Sequence, residues 1–180
     1  MSNGQDTARQ AAREILTEFG VEAAPVPVER IIKKKGIRLQ FSPLDEALSG
    51  MAVIKDDVAV IGVNALHHPN RQRFTMAHEL GHHILHREHL IRTVHVDKGF
   101  AVFIGGQRAM LRDEKSAEGT DMMEIQANAF ASELLMPSFL IEKLIDLSSF
   151  GLEDVDQLNA LAKRFKVSPQ AMQYRLMAFN

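Results

Sequence analysis

The chain has 180 residues, 46% hydrophobic and 24% charged, long enough for one sizeable core and favouring a single domain over residues 1–180. A net charge of −2 and a pI near 6.4 give no overall attraction to nucleic acid, and the absence of cysteine excludes thiolate ligands, a thiol nucleophile and a disulfide framework. No apolar run approaches about 18 residues and the chain opens on polar Ser2 to Thr7, so neither a membrane span nor a signal peptide is expected and a cytoplasmic location follows.

Asp6 or Thr7 is placed to cap a first helix with Ala12, Ile15, Leu16 and Phe19 on one side and Gly20 at its end; Pro27 starts a second that stops at Gly36. Lys33, Lys34 and Lys35 fall in its last turn, where a solvated, dipole-favoured terminus is the plain reading and a phosphate-binding patch the alternative. Next come Ile37–Phe41 and two apolar runs, Met51–Lys55 and Val58–Gly62, separated by Asp56-Asp57. That pattern predicts a small antiparallel hairpin packed on the helix that follows.

The helix over residues 71–86 carries His78-Glu79-Leu80-Gly81-His82. Two histidines four residues apart are separated by about 6 Å of rise and only about 40° of rotation, so both imidazoles can reach one ion, and neutral imidazole suits zinc. Glu79 projects beside that ion, where a carboxylate can take a proton from water. With this chain's histidine and glutamate content the pattern is expected about 0.03 times by chance. Phe74, Ala77, His78, Gly81, His82 and Leu85 form one stripe, expected to face inward, and Gly81 lets a neighbouring element approach. His83 points away from that direction, His86 is expected at the helix end or behind His82, and His67, His68, His89 and His95 are expected in loops or at the surface.

Residues 105–120 lose periodicity, which suits either a substrate lid or an ordinary solvated loop. Beyond them Glu124 shares a helical face with Ala127, Asn128, Ala131, Leu134 and Leu135. A carboxylate aimed at the core needs a partner, and Glu124 is the best candidate third ligand; the alternative is an exposed first-turn acid. Asn128 is placed to hold a second hydrogen bond on a ligand, whereas Glu133, grouped with Gln126 and Ala129, is expected in solvent. After Pro137 the chain reads as helical, and 152–179 resembles a helix-turn-helix, with Ser168 as N-cap, Pro169 at N1, and Ala162, Phe165, Val167, Met172 and Leu176 filling the angle. Were its second helix to enter a DNA groove, Gln170, Gln173, Tyr174 and Arg175 would be the readers, but the flanking charge is weak. Otherwise the pair completes the core near the histidines, with Tyr174 as catalytic oxyanion donor and Arg175 as its rival.

Arg-x-Arg-Phe-Thr-x-Ala-His-Glu-Leu-Gly-His-His-x-Leu-His at 71–86, the charged segment 112–121 and Glu-x-x-Ala-Asn-x-Phe-Ala-x-Glu-Leu-Leu-Met-Pro at 124–137 together resemble the ImmA/IrrE family of bacterial and phage metallopeptidases. The resemblance implies an α+β, zincin-like fold and a gluzincin-like site with His78, His82 and Glu124 as ligands of one Zn2+, or Mn2+ in its place, and Glu79 as base. It also implies a protein substrate: such relatives are thought to cut helix-turn-helix repressors and so release mobile-element, stress or DNA-damage genes. An edge strand beside the metal would hold that substrate by main-chain pairing; the alternative is that the strands only cover the core. Relatives often carry a second Glu just before the Ala-Asn pair, where this chain has Gln126, which weakens any supporting role at that position. The expected function is therefore a zinc-dependent endopeptidase acting on a repressor or antitoxin. The competing classes are a DNA-binding regulator with a structural or sensory metal, and a partner-binding antirepressor or toxin-antitoxin component whose proteolysis is vestigial.

Overall fold

The computed structural model describes residues 2–45, 48–96, 114–145 and 154–178; of the lid expected over 105–120, residues 105–113 lie outside them. Helix α1 (Ser2–Glu18) begins ahead of the expected cap, and Asp6 instead pairs with Arg9 at 3.1 Å. It ends as its sequence requires. Gly20 takes φ +58° while the Val21 amide reaches back to the Leu16 carbonyl at 3.0 Å, a left-handed closure that a Cβ would oppose. Helix α2 (Val28–Lys34), preceded by Pro27, buries Val28, Ile31 and Ile32. Lys35 bonds Glu18 at 2.6 Å.

Strands β1 (Arg38–Ser42), β2 (Gly50–Lys55) and β3 (Val58–Asn64) form one sheet in the order β1-β3-β2. The expected hairpin is present: β2 and β3 are antiparallel, and Asp56 and Asp57 both take positive φ, as a two-residue turn demands. The sheet as a whole is mixed rather than antiparallel, because β1 pairs parallel to β3, Arg38 opposite Val60 through Ser42 opposite Asn64. Asn64, fully buried, ties down the approach to β2. Its amide nitrogen donates to the carbonyls of Leu44, Asp45 and Leu48 at 2.9–3.3 Å, and its oxygen accepts from the Leu66 amide at 3.0 Å.

Helix α3 (Pro69–Leu85) packs on β2 and β3 on one side and on α5 (Glu114–Leu135) on another. Its fully buried residues include Met76, Ala77 and Leu80, and His83 contacts the Val60 carbonyl of the sheet at 3.0 Å. The stripe that bears His78 and His82 is therefore the margin of the buried face, not its centre. Gly50 lets the start of β2 press on α3: a Cβ there would collide with the Thr75 methyl and the Gly62 carbonyl, and would stand 3.6 Å from Glu79 Cγ. Gly81 does the same toward α5, where a Cβ would stand 3.1 Å from Phe130 and 3.3 Å from the Ala127 backbone. Helix α4 (Arg87–Val96) follows, so His89 and His95 lie in a helix rather than a loop.

Helix α5 also packs on α1. It begins at Glu114, so residues 114–120 are helical and Glu124 is ten residues inside the helix, not in its first turn. Glu133 overturns its solvated expectation: it is fully buried and joined to Arg13 of α1 at 3.1 Å, to Ser138 of α6 (Ser138–Leu144), and to Arg175 of α8 (Pro169–Met177). The C-terminal pair matches its local signals. Asp154 caps α7 (Val155–Phe165), Lys166 closes it at φ +54°, Ser168 caps α8, and Ala162, Phe165, Val167, Met172 and Leu176 are all buried. Asn70 at the start of α3 bonds the Val167 carbonyl at 3.0 Å, holding this pair to the rest. The architecture is α+β, and no helix among the described residues is long and apolar enough to cross a membrane.

Candidate metal centre

The contact between α3 and α5 sets the centre. Four-residue spacing stacks His78 and His82 on α3, with their Nε2 atoms 3.1 Å apart. The close packing at Gly81 brings α5 near enough for Glu124 to reach both: Oε2 is 3.2 Å from His78 Nε2 and Oε1 is 3.5 Å from His82 Nε2. The three side chains offer two nitrogens and one oxygen within 4.8 Å of one another. Their exposures of 15%, 13% and 35% describe a cleft wall open to solvent on the Glu124 side.

Behind the first histidine, Nδ1 of His78 lies 3.0 Å from Asn128 Oδ1. An amide oxygen only accepts, so the ring proton is on Nδ1 and the Nε2 lone pair faces Glu124. A bare lone pair and a carboxylate oxygen repel across 3.2 Å unless a second proton or a metal ion stands between them, and a set of two nitrogens and one oxygen suits a divalent metal. The electrostatics agree. Burial opposes a charge on His78, yet the Glu124 hydrogen bond, aided by Glu79 and Asn128, raises its pKa above the usual histidine value. His82, buried beside His78, is pushed down to about 4 despite Glu124. One positive charge is drawn to this point and a second is refused.

Glu79 stands beside the cluster, near the Gly50 end of β2. Burial pushes its carboxyl up to about 7, against the pull of His78 and with the repulsion of Glu124. A carboxyl poised near neutrality can both take and return a proton. His86 ends α3 and touches His82, Nδ1 to Nδ1, at 3.1 Å, while its Nε2 meets Gln126 Oε1 at 2.8 Å. Gln126 thus does support the cluster, against the sequence expectation; only the fold could bring it to His86, 40 residues away.

Tyr174 has no hydrogen bond to the cluster among the described residues. It is 65% exposed on α8, and its neighbour Arg175 is buried against Glu133 and the Met136 carbonyl, nine residues or about 13 Å of helix beyond Glu124. Neither the oxyanion role of Arg175 nor its role as a DNA reader is compatible with that burial. Gln170, Gln173 and Tyr174 remain on the surface.

Residues 32–177 match the family model described as the IrrE N-terminal-like domain, peptidase M78. Among solved structures, a Mycobacterium tuberculosis transcriptional regulator is similar, with a TM-score of 0.58 and 19% identity over 93% of this chain and 45% of that one. At that identity the likeness is one of fold, and this chain spans less than half of that protein's length. No curated protein gives a significant match.

Proposed function

This chain belongs to the peptidase M78 family of IrrE N-terminal-like domains, and on that premise we propose that it is a zinc-dependent endopeptidase acting on a protein substrate. The observation that carries the reading is the convergence of His78, His82 and Glu124 within 4.8 Å, a two-nitrogen, one-oxygen donor set of the kind zinc takes in hydrolases that keep one position open. Mn2+ is the alternative ion. When bound, the metal polarises a carbonyl oxygen and acidifies a water. Glu79 takes up the proton of the attacking water and delivers it to the leaving amine. Strand β2, an outer strand of the sheet whose Gly50 end lies against Thr75 and near Glu79, offers backbone groups to an extended peptide. The substrate class is a helix-turn-helix repressor or an antitoxin, as the resemblance in sequence to repressor-cutting metallopeptidases implies.

Glu79→Gln is expected to keep the metal and to lower cleavage about 10²–10⁴-fold, whereas His78→Ala, His82→Ala and Glu124→Ala lose the metal. The measurement is metal content of the purified variants together with fragment analysis after incubation with the repressor encoded beside this protein, where one exists. A Glu124→Ala protein with full metal occupancy would sink the ligand set. The surface position of Gln170, Gln173 and Tyr174 on α8 favours, as second reading, a regulator that binds DNA or its repressor without cutting. In that case Glu79→Gln leaves regulation intact.

A further inference from the structure

The two histidines are backed differently. His78 Nδ1 ends directly on an amide oxygen, Asn128 Oδ1. His82 Nδ1 ends on His86 Nδ1, an imidazole nitrogen that can be donor or acceptor, so this contact alone leaves the His82 proton unassigned. The assignment is made one bond further out. His86 Nε2 lies 2.8 Å from Gln126 Oε1, which only accepts, and the Gln126 amide nitrogen is turned to the other side, where a Cβ built on Gly4 of α1 would come within 2.7 Å of it. The His86 proton therefore sits on Nε2, and its Nδ1 lone pair accepts from His82 Nδ1–H. That leaves the Nε2 lone pair of His82 facing His78 Nε2 and Glu124 Oε1, at 3.1 and 3.5 Å.

The opposite arrangement has a clear consequence. With its proton on Nε2, His82 would donate to the His78 Nε2 lone pair 3.1 Å away, and a metal would first have to displace that proton and its hydrogen bond. We propose that Gln126 is a positioning residue for the metal centre: its carbonyl oxygen, acting through His86, fixes the tautomer of His82 and holds the metal-facing nitrogen unprotonated. The proposal rests on the metal-centre reading above.

Substitutions at Gln126 test it, since the side chain is only half-buried and lies outside the ligand set. In protein labelled with ¹⁵N-histidine, stripped of metal and held well above the histidine titration range, long-range ¹H–¹⁵N spectra report which ring nitrogen bears the proton. His82 of the wild type is expected as the Nδ1–H form. Gln126→Met, similar in length but without an acceptor, shifts His82 toward Nε2–H and weakens zinc binding about 10-fold or more, the range for outer partners of ligating histidines. Gln126→Glu, which still accepts from His86, restores the wild-type tautomer and affinity. A folded Gln126→Met protein with unchanged tautomer and unchanged affinity overturns the relay while leaving the metal centre standing. A wild-type protein that takes up no zinc overturns the metal centre, and the proposal with it.

Discussion

Removing Glu133 is expected to cost as much stability as truncating a core residue of α5, even though the residue is remote from the metal centre. Glu133→Ala deletes a fully buried carboxylate that accepts from Arg13 at 3.1 Å, from the Ser138 hydroxyl at 3.0 Å and from Arg175. Arg13 is half exposed and can turn to water, but Arg175 is only 6% exposed and would lose its Glu133 carboxylate while keeping the Met136 carbonyl and the Ser138 hydroxyl. Breaking such a pair from one side costs about 3–5 kcal/mol. For a chain of this length, at about 2–4 °C per kcal/mol, the melting temperature should fall by roughly 6–20 °C. The double variant Glu133→Leu, Arg175→Met should be more stable than either single change, because it removes both charges together.

The pH dependence has a definite sign. Burial alone would raise the Glu133 carboxyl, but Arg175, with hydrogen bonds from Arg13 and Ser138, outweighs it and holds the pKa below the usual 4.5. Below 4.5 the unfolded chain takes up a proton that the folded one still refuses. The contribution of Glu133 is therefore complete above that value and is lost as pH falls through the folded pKa. Thermal melts of the metal-free protein, so that ion release plays no part, should show the gap between wild type and Glu133→Ala narrowing below pH 4.5. A shift under about 2 °C at neutral pH, the size of an ordinary surface change, or a gap that widens in acid, would refute the account.

Gly81→Val should lose about 1–3 kcal/mol by overpacking against Phe130 and Ala127 and weaken metal binding as α5 is displaced; Gly81→Ala should show the second effect with little of the first, since helix propensity returns about 1 kcal/mol. Zinc titration alongside chemical denaturation separates the two, and unchanged zinc affinity in Gly81→Val would contradict the role given to this approach. Asn64→Ala should destabilise by about 2–3 kcal/mol through unpaired carbonyls at Leu44 and Leu48. Limited proteolysis should then cut first within residues 43–49, and cutting that begins elsewhere would argue against it.

What was legible in the sequence was local. The spacing of His78 and His82, the Asp56-Asp57 turn, the Gly81 approach and the Ser168 cap are each written within a few residues, and each is found. The parallel pairing of β1 was not legible, because turn chemistry speaks only for strands adjacent in sequence, and β1 reaches β3 past β2. Glu133 and Arg175 were misread for the same reason. Judged on its own helix, Glu133 sits at the flank with Gln126 and Ala129, and nothing near it in sequence says that α1, α6 and α8 close over it. Once they do, Arg175 is drawn inward and Tyr174, one residue away, is left outside, the reverse of what an active-site reading of α8 requires.

The two carboxylates of α5 show why one end of that helix is structural and the other exchangeable. Nine residues and about 13 Å apart, both are placed among groups able to carry positive charge. Glu133 meets guanidiniums, which are charged at every pH the protein survives, so its counter-charge is encoded in the chain and locked in by burial. Glu124 meets the imidazoles of His78 and His82, whose charge is conditional. Asn128 keeps the His78 lone pair aimed inward, and His82, with a pKa near 4, stays neutral. The positive charge that balances Glu124 is thus an exchangeable one, a proton held on His78 or an ion that arrives from solution through the side where Glu124 is 35% exposed. A rigid far end then serves the open one, since every ångström by which α1, α6 and α8 fix α5 through Glu133 also fixes the height of Glu124 opposite the two histidines.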